Sequence, residues 1–269
     1  MTSLTARLAP RADAGWDRSR WFNLACVALA LLILVVPVLR LWASMHSPAS
    51  LAVQGIDYAL YRDAALRWLH GEGYFLPRQL EGPYVLGHLE VLYPPVALWL
   101  FVPFAYLPAV LWYVVPLGLL IFGVARLRPA PWTLPVMALL VAIPPFVDLF
   151  WLGQPTIWLP AFAAMGVGGG GWAVFVLLKP SLFPFAAIGI NRRVWWLTLA
   201  VFLALCLPFG GLWFDWVTAV RNSNAGPLYS ADQIPMMLIG VVAWLGRRRN
   251  PAAAPAAPSE PAALPEPAA

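Results

Sequence analysis

Long apolar runs, separated by short basic or polar segments, are the main pattern along this chain. The first run, from Trp21 to Ala43, has about 23 residues, and a helix of that length crosses the ~30 Å hydrocarbon core of a bilayer. It is longer than the apolar part of a signal peptide, and no small-residue cleavage site follows it. The run therefore predicts a retained first transmembrane helix.

Several further runs are apolar enough to enter a membrane. The run from Val96 to Leu107 has only about 12 residues, so it predicts a helix in the outer interface, with Pro94 and Pro95 in its first turn. The whole pattern predicts an all-α polytopic membrane protein with about seven (about six to eight) transmembrane helices. The other predicted crossing runs are residues 109–125, 131–149, 155–167, 172–190, 194–209 and 234–245.

Arginine clusters predict which ends of these runs lie in the cytoplasm, because short loops rich in Arg and Lys stay inside. Placing every cluster inside gives a multi-pass protein of the cell membrane with both termini cytoplasmic. Residues 44–92 then form the first outer loop, and residues 210–233 form a second one. The clusters are Arg18 with Arg20, Arg126 with Arg128, Arg192 with Arg193, and Arg247 to Arg249.

This topology requires residues 172–190 to begin and end on the cytoplasmic side. We therefore predict a hairpin that turns at Lys179–Ser181, since a single crossing would place Arg247–Arg249 outside. Three regions result: a cytoplasmic segment over residues 1–20, a membrane domain over residues 21–246, and a tail over residues 247–269. The tail is rich in Pro and Ala, so it predicts a disordered cytoplasmic segment.

Composition agrees with a membrane protein. Hydrophobic residues make up 61% of the 269 residues and charged residues 11%, whereas soluble domains have about 25% charged residues. The net charge of +5 comes from the arginine clusters, so it indicates membrane orientation and no nucleic-acid partner. The two cysteines lie in apolar runs, and the three histidines have no zinc-ligand spacing, so neither a disulfide framework nor a tightly bound metal is predicted.

The polar residues that stand out in this apolar chain lie at the predicted outer face of the membrane. Asp57 and Tyr61 are four residues apart, so a helix places them on one side. They border an apolar stripe formed by Ile56, Leu60, Ala64 and Trp68. Partial burial there would make Asp57 a candidate general base. The alternative is a structural role at the start of the helix, as an N-cap or first-turn residue.

Lys179 is the only lysine of the chain, and it lies in an apolar run. Ionisable residues within membrane segments are costly, which favours a functional role such as binding an anionic lipid phosphate. The alternative is a lysine that extends to the interface. Gln154 has a similar alternative, an amide that satisfies the backbone near Pro155. Asp63 and Arg67, also four apart, predict an ordinary surface ion pair.

Four motifs occur in an order that resembles a known family. They are "DYALYRDAALRWLHGEGYF", "LYPPVALWLFVPFAYLP", "GQP", and "LLKPSLFPF" followed by "NRR", within residues 20–246. The pattern resembles glycosyltransferase family 87, polytopic mannosyltransferases of the GT-C type that use polyprenyl-phosphate sugars. Family members are usually longer, and this chain has a glycine run where others carry a basic turn.

The resemblance implies a catalytic base at Asp57 and a substrate site with Tyr93, Pro94, Pro95, Gln154 and Lys179, to which Tyr61 is added. The implied reaction moves a hexosyl group, such as mannosyl, from a polyprenyl-phosphate donor to a glycolipid or glycan hydroxyl outside the membrane. Lys179, with Arg62 or Arg221, would stabilise the departing phosphate. No cofactor is implied, although a loosely held Mg²⁺ is compatible with this site.

Two other classes of function stay open. A transporter would also have an intramembrane lysine and broken helices, but the chain has no internal repeat and its polar residues cluster at the predicted outer face. A non-catalytic membrane subunit that binds lipid is the stronger alternative, because the chain is short for the family.

Overall fold

The computed structural model describes residues 20–85, 87, 90–224 and 230–247. The predicted cytoplasmic segment before Arg20 and the predicted tail after Arg247 therefore lie outside the described residues. Within these residues the regular structure is helical, apart from one backbone bridge between Pro129 and Arg247. The prediction of an all-α protein is confirmed for this part of the chain.

Twelve α-helices lie in the described part, and 3₁₀ segments join several of them. The α-helices are α1 (Arg20–Met45), α2 (Pro48–Ala52), α3 (Ile56–Leu69), α4 (Pro77–Glu81), α5 (Leu98–Tyr106), α6 (Ala109–Arg126), α7 (Thr133–Ala142), α8 (Pro144–Leu152), α9 (Trp158–Val167), α10 (Arg193–Cys206), α11 (Leu212–Asn222) and α12 (Ile234–Leu245). The 3₁₀ segments are Pro95–Ala97, Pro155–Ile157, Trp172–Leu178, Pro180–Ala187, Leu207–Phe209 and Ala231–Gln233.

Two described helices, α1 and α6, are long and apolar enough to cross a membrane. Two bent pairs bring the number to as many as four: α7 with α8, bent by 55°, and α10 with α11, bent by 92°. The expected crossings at α9 and α12 are short apolar helices, and α5 is short as predicted. The prediction of about seven crossings therefore stays a prediction.

Helix α1 confirms the predicted first helix, since it covers the whole run from Trp21 to Ala43. Most of its side chains are exposed, including Leu31 and Leu32. It packs against α7, and Arg40 pairs with Asp148 of α8 at 3.2 Å. An apolar helix that leaves so much leucine surface uncovered suits a lipid environment.

Helix α9 is the centre of the bundle, because all ten of its residues are buried. It packs between α6 and α12. A Cβ atom added at Gly240 of α12 would lie 2.6 Å from Cα of Ala164, and one at Gly123 of α6 would lie 3.2 Å from the Ala164 backbone. Glycine therefore allows the close approach of these helices, as small residues do in membrane bundles.

The predicted hairpin at Lys179 is confirmed as a chain reversal. The segments Trp172–Leu178 and Pro180–Ala187 pack against each other, with Lys179 extended between them. Arg192 at the far end donates to the carbonyl oxygen of Gly166 at 3.4 Å, so the two ends of the hairpin meet. Pro180 and Pro184 lack the N–H groups that a continuous helix needs.

Two backbone hydrogen bonds join segments that the predicted topology assigns to the same side. Gly55 of the first outer loop donates its N–H to the carbonyl of Trp151 at 3.0 Å. The N–H of Ala130 donates to the carbonyl of Gly246 at 2.8 Å, which brings the segment after Arg128 beside Arg247. The side of a membrane on which each group lies stays a prediction.

Candidate functional site

Lys179 lies at the centre of a buried polar cluster. Its side chain is almost fully enclosed, with a relative exposure of 4%. Nζ donates to Oε1 of Gln233 at 2.6 Å and to Oγ1 of Thr156 at 3.0 Å. A buried ammonium requires such acceptors, because leaving a charge unpaired away from water is very costly. The alternative of a lysine that extends to the interface is wrong in this structure.

Thr156 joins three polar groups through one hydroxyl. It donates to Oε1 of Gln154 at 2.5 Å, and it lies 3.0 Å from the hydroxyl of Tyr93. A hydroxyl has one proton and two lone pairs. Since that proton goes to Gln154, the oxygen accepts from both Lys179 and Tyr93. With this proton placement the Tyr93 hydroxyl donates to Thr156.

Aromatic rings close the cluster on the side of the first outer loop. Lys179 Nζ lies 5.7 Å from the centroid of the Tyr93 ring, at the distance of a cation–π contact. The Tyr61 ring meets the Tyr93 ring edge-on, with centroids 5.3 Å apart. Pro95 begins the 3₁₀ turn that leads into α5, and both it and Pro94 are buried directly after Tyr93. The prolines therefore support the position of Tyr93.

Asp57 is buried in the first turn of α3, with a relative exposure of 9%. The N-cap of this helix is Gly55, in the left-handed conformation, so the N-cap form of the structural alternative is wrong, whereas its first-turn form is confirmed. The first-turn position is favourable for a carboxylate because of the helix dipole. Asp57 and Asp232 both lie within electrostatic range of Lys179.

The buried face of α3 differs from the predicted stripe. It consists of Asp57, Tyr61, Ala64 and Ala65, whereas Ile56, Leu60 and Trp68 are only partly buried. Asp57 and Tyr61 thus belong to the buried face itself rather than to its border. The reason is that the helix packs on α5 and reaches the aromatic core around Tyr93 and Phe101.

Two predicted phosphate-binding arginines lie outside this cluster in the described contacts. Arg62 pairs with its neighbour Asp63 at 2.8 Å, and both side chains are exposed. Arg67 instead points to the carbonyl of Tyr74 at 3.5 Å, so the predicted Asp63–Arg67 pair is wrong. Asp63 bonds instead to the adjacent Arg62, and the Arg67 side chain lies near the backbone of the buried residue Tyr74. Arg221 is exposed in the last turn of α11.

Sequence reasoning missed two members of the hydrogen-bonded cluster, Thr156 and Gln233, and the exposed Asp232 beside them. Thr156 directly follows the motif "GQP", so its place in the sequence next to Gln154 could have indicated its role. Asp232 and Gln233 directly precede the apolar run of α12, a position where a polar residue is usually taken as a helix-start signal. Only the fold, which brings this helix start to the Lys179 turn, reveals their role.

Metal binding has no visible basis in the described residues, where no three side chains of His, Cys, Asp or Glu come together. The expectation of no tightly bound metal stays a prediction. Comparisons with family models, curated proteins and solved structures find no match. The resemblance to glycosyltransferase family 87 therefore also stays a prediction.

Proposed function

We propose that the chain is a membrane glycosyltransferase that moves a hexosyl group, such as mannosyl, from a polyprenyl-phosphate donor to a hydroxyl of a glycolipid or glycan. The observation that carries the proposal is the buried cluster in which the Lys179 ammonium bonds to Thr156 and lies over the Tyr93 ring, with Asp57 within electrostatic range. A fixed cation beside aromatic rings and a carboxylate suits a sugar phosphate.

In the proposed reaction Asp57 takes the proton of the acceptor hydroxyl. The acceptor oxygen attacks the anomeric carbon from the face opposite the phosphate, and the bond from that carbon to the phosphate oxygen breaks. The anomeric configuration inverts, and polyprenyl phosphate leaves with the bonding electron pair. Lys179 stabilises the charge of this leaving group, and Tyr93 and Tyr61 stack on the sugar.

The proposal includes an arrangement around this site. It places the Lys179 cluster at the outer face of a GT-C-like bundle with about seven crossings, in the cell membrane, with both termini in the cytoplasm. The grouping of Gly55 with Trp151, and of Ala130 with Gly246, supports this arrangement. No cofactor takes part in the proposed reaction, and a loosely held Mg²⁺ on the donor phosphate is compatible with it.

The experiment is transfer of radiolabelled sugar from a polyprenyl-phosphate donor in membranes that contain the chain. We expect labelled product with the lipid-phosphate donor, and none when the same sugar is supplied as a nucleoside diphosphate sugar. Membranes with an equal amount of the Asp57→Asn variant are the control. Absence of transfer from several polyprenyl-phosphate sugars by the folded chain would contradict the proposal.

A second candidate is a non-catalytic subunit that binds a lipid. A cavity of about 190 Å³ favours it, since the cavity is lined by apolar side chains, among them Trp99, Phe175 and Leu178. Such a lining suits a hydrocarbon chain. Retention of a photoactivatable polyprenyl phosphate by the purified chain, without any sugar transfer, would favour this candidate over the enzyme.

A further inference from the structure

Helix α11 runs at right angles to the apolar helix before it. Helix α10 and the 3₁₀ turn Leu207–Phe209 form an apolar rod about 27 Å long, close to the thickness of the hydrocarbon core. The chain then bends by 92° into α11. If the rod crosses the bilayer, α11 lies along the membrane surface at its end.

One face of α11 is exposed and largely apolar. Phe214 and Val217 are 78% and 56% exposed, and Arg221 follows on the same side, because positions i, i+3 and i+7 share one helix face. Leu207, at the end of the preceding rod, is also 78% exposed. The end of the rod and α11 therefore both carry exposed apolar side chains close to the bend.

The opposite face of α11 is attached to the protein. Trp216 donates through Nε1 to the carbonyl of Leu92 at 3.0 Å, and the Tyr84 hydroxyl donates to the carbonyl of Ala219 at 3.0 Å. Leu92 precedes Tyr93, a member of the Lys179 cluster. These bonds hold α11 at the end of the molecule where the cluster lies, with the Phe214 face turned away from the protein.

We infer that α11 is an interfacial helix that binds the surface of the bilayer leaflet nearest the Lys179 cluster. Phe214 and Val217 enter the boundary between headgroups and acyl chains, as in amphipathic helices that lie in the interface plane. Arg221, whose apolar stem lies on the same face, extends its guanidinium to the lipid phosphates. This role is independent of the proposed sugar transfer and assigns Arg221 to membrane lipid rather than to the donor.

Nitroxide labels in liposome-reconstituted protein test the position of the helix. In a chain with Cys26→Ala and Cys206→Ala, labels are attached to Phe214→Cys or Val217→Cys. Leu32→Cys in the middle of α1 is the reference for the hydrocarbon core, and the exposed Glu72→Cys is the reference for water. Collision with oxygen and with a water-soluble nickel chelate is measured at each site.

We expect both α11 labels to meet the chelate less than the Glu72 label and more than the Leu32 label. Chelate access equal to that at Glu72 would show that the face is in water and would overturn the inference. Access equal to that at Leu32 would place α11 inside the core, and would also overturn it. Dipolar broadening between labels would identify a second copy of the chain as the true occupant of this face.

Arg221 is tested with the label at Val217 in two kinds of vesicle, pure phosphatidylcholine and phosphatidylcholine with phosphatidylglycerol. We expect the anionic lipid to reduce chelate access in the chain with Arg221 and to have no such effect in the Arg221→Gln chain. Equal responses of the two chains would remove the assignment of Arg221 to lipid phosphate.

Discussion

Two polar groups of this protein, the buried Lys179 cluster and the exposed Arg62–Asp63 pair, differ in a way that bond lengths do not reveal. The Arg62–Asp63 contact is 2.8 Å long, which lies between the Lys179 contacts with Gln233 at 2.6 Å and with Thr156 at 3.0 Å. Water competes for the exposed pair, whose net contribution to stability is therefore about 0–1 kcal/mol. The Lys179 cluster has no such competitor, so loss of one member leaves its partners unsatisfied.

This contrast teaches which polar residues of a membrane protein merit mutation first. The exposed Arg62–Asp63 pair lies on the surface of α3, so substituting either residue should change stability little. The buried cluster joins side chains from distant parts of the chain, namely Tyr61 of α3, Tyr93, Thr156, Lys179 and Gln233. A change in the cluster is thus expected to affect both stability and the proposed activity.

Lys179→Met should have the largest effect. The variant keeps most of the apolar stem but removes the ammonium, so Gln233 loses a donor and the nearby carboxylates lose a counter-charge. We expect transfer from the polyprenyl-phosphate donor to fall by about 10²–10³-fold, as when an electrostatic stabiliser is removed. The measurement is initial rate at equal amounts of folded protein, verified by size-exclusion chromatography. Transfer at the wild-type rate would show that Lys179 has a structural role only.

Asp57→Asn should come next. The amide is nearly isosteric with the carboxylate but cannot accept a proton from the acceptor hydroxyl. We expect a loss of transfer of at least ~10²-fold, the low end of general-base effects, with normal yield in the membrane. Asp63→Asn on the same helix is the matched control and should cost far less. Equal losses in the two variants, or loss of folded Asp57→Asn protein, would identify Asp57 as a structural residue.

Thr156→Val tests the cluster without touching a charge. Valine has nearly the same shape, but it removes the hydroxyl that joins Lys179, Tyr93 and Gln154. We expect destabilisation of about 1–3 kcal/mol, the usual cost of unsatisfied buried polar groups, measured by thermal unfolding in one detergent. Thr218→Val is the matched control, since Thr218 bonds only within its own helix, to the Phe214 carbonyl. Similar destabilisation of both variants would show that the hydroxyl in the cluster contributes no more to stability than an ordinary threonine hydroxyl.

Arg62→Gln should have the smallest effect. It removes the exposed pair with Asp63, so we expect a change in the free energy of unfolding within about 1 kcal/mol. The change should become smaller still in high salt, because salt screens exposed charges. The same detergent unfolding assay measures it, and transfer should stay near the wild-type rate. A large loss of transfer would return Arg62 to the substrate site.

Several parts of the site could be predicted from the sequence because their signals are local. The topology derived from the arginine clusters placed Asp57, Tyr93, Gln154 and Lys179 at one face, and the structure brings the last three into one hydrogen-bonded group. The turn at Lys179 followed from its flanking proline and from the need to return to Arg192. Arg62 was misplaced because its partner depends on side-chain rotamers that sequence spacing does not define.

By itself the sequence determined the helical class, the first helix and the turn at Lys179, since apolar length, proline and a lone lysine act over short stretches of chain. Only the tertiary structure decided that α9 is enclosed while α1 is exposed, although both are strongly apolar. It also decided that Gln233 meets Lys179, 54 residues earlier in the chain. Such contacts arise from the packing of distant segments at small residues such as Gly240 and Ala164, and hydropathy along the chain carries no record of which helices become neighbours.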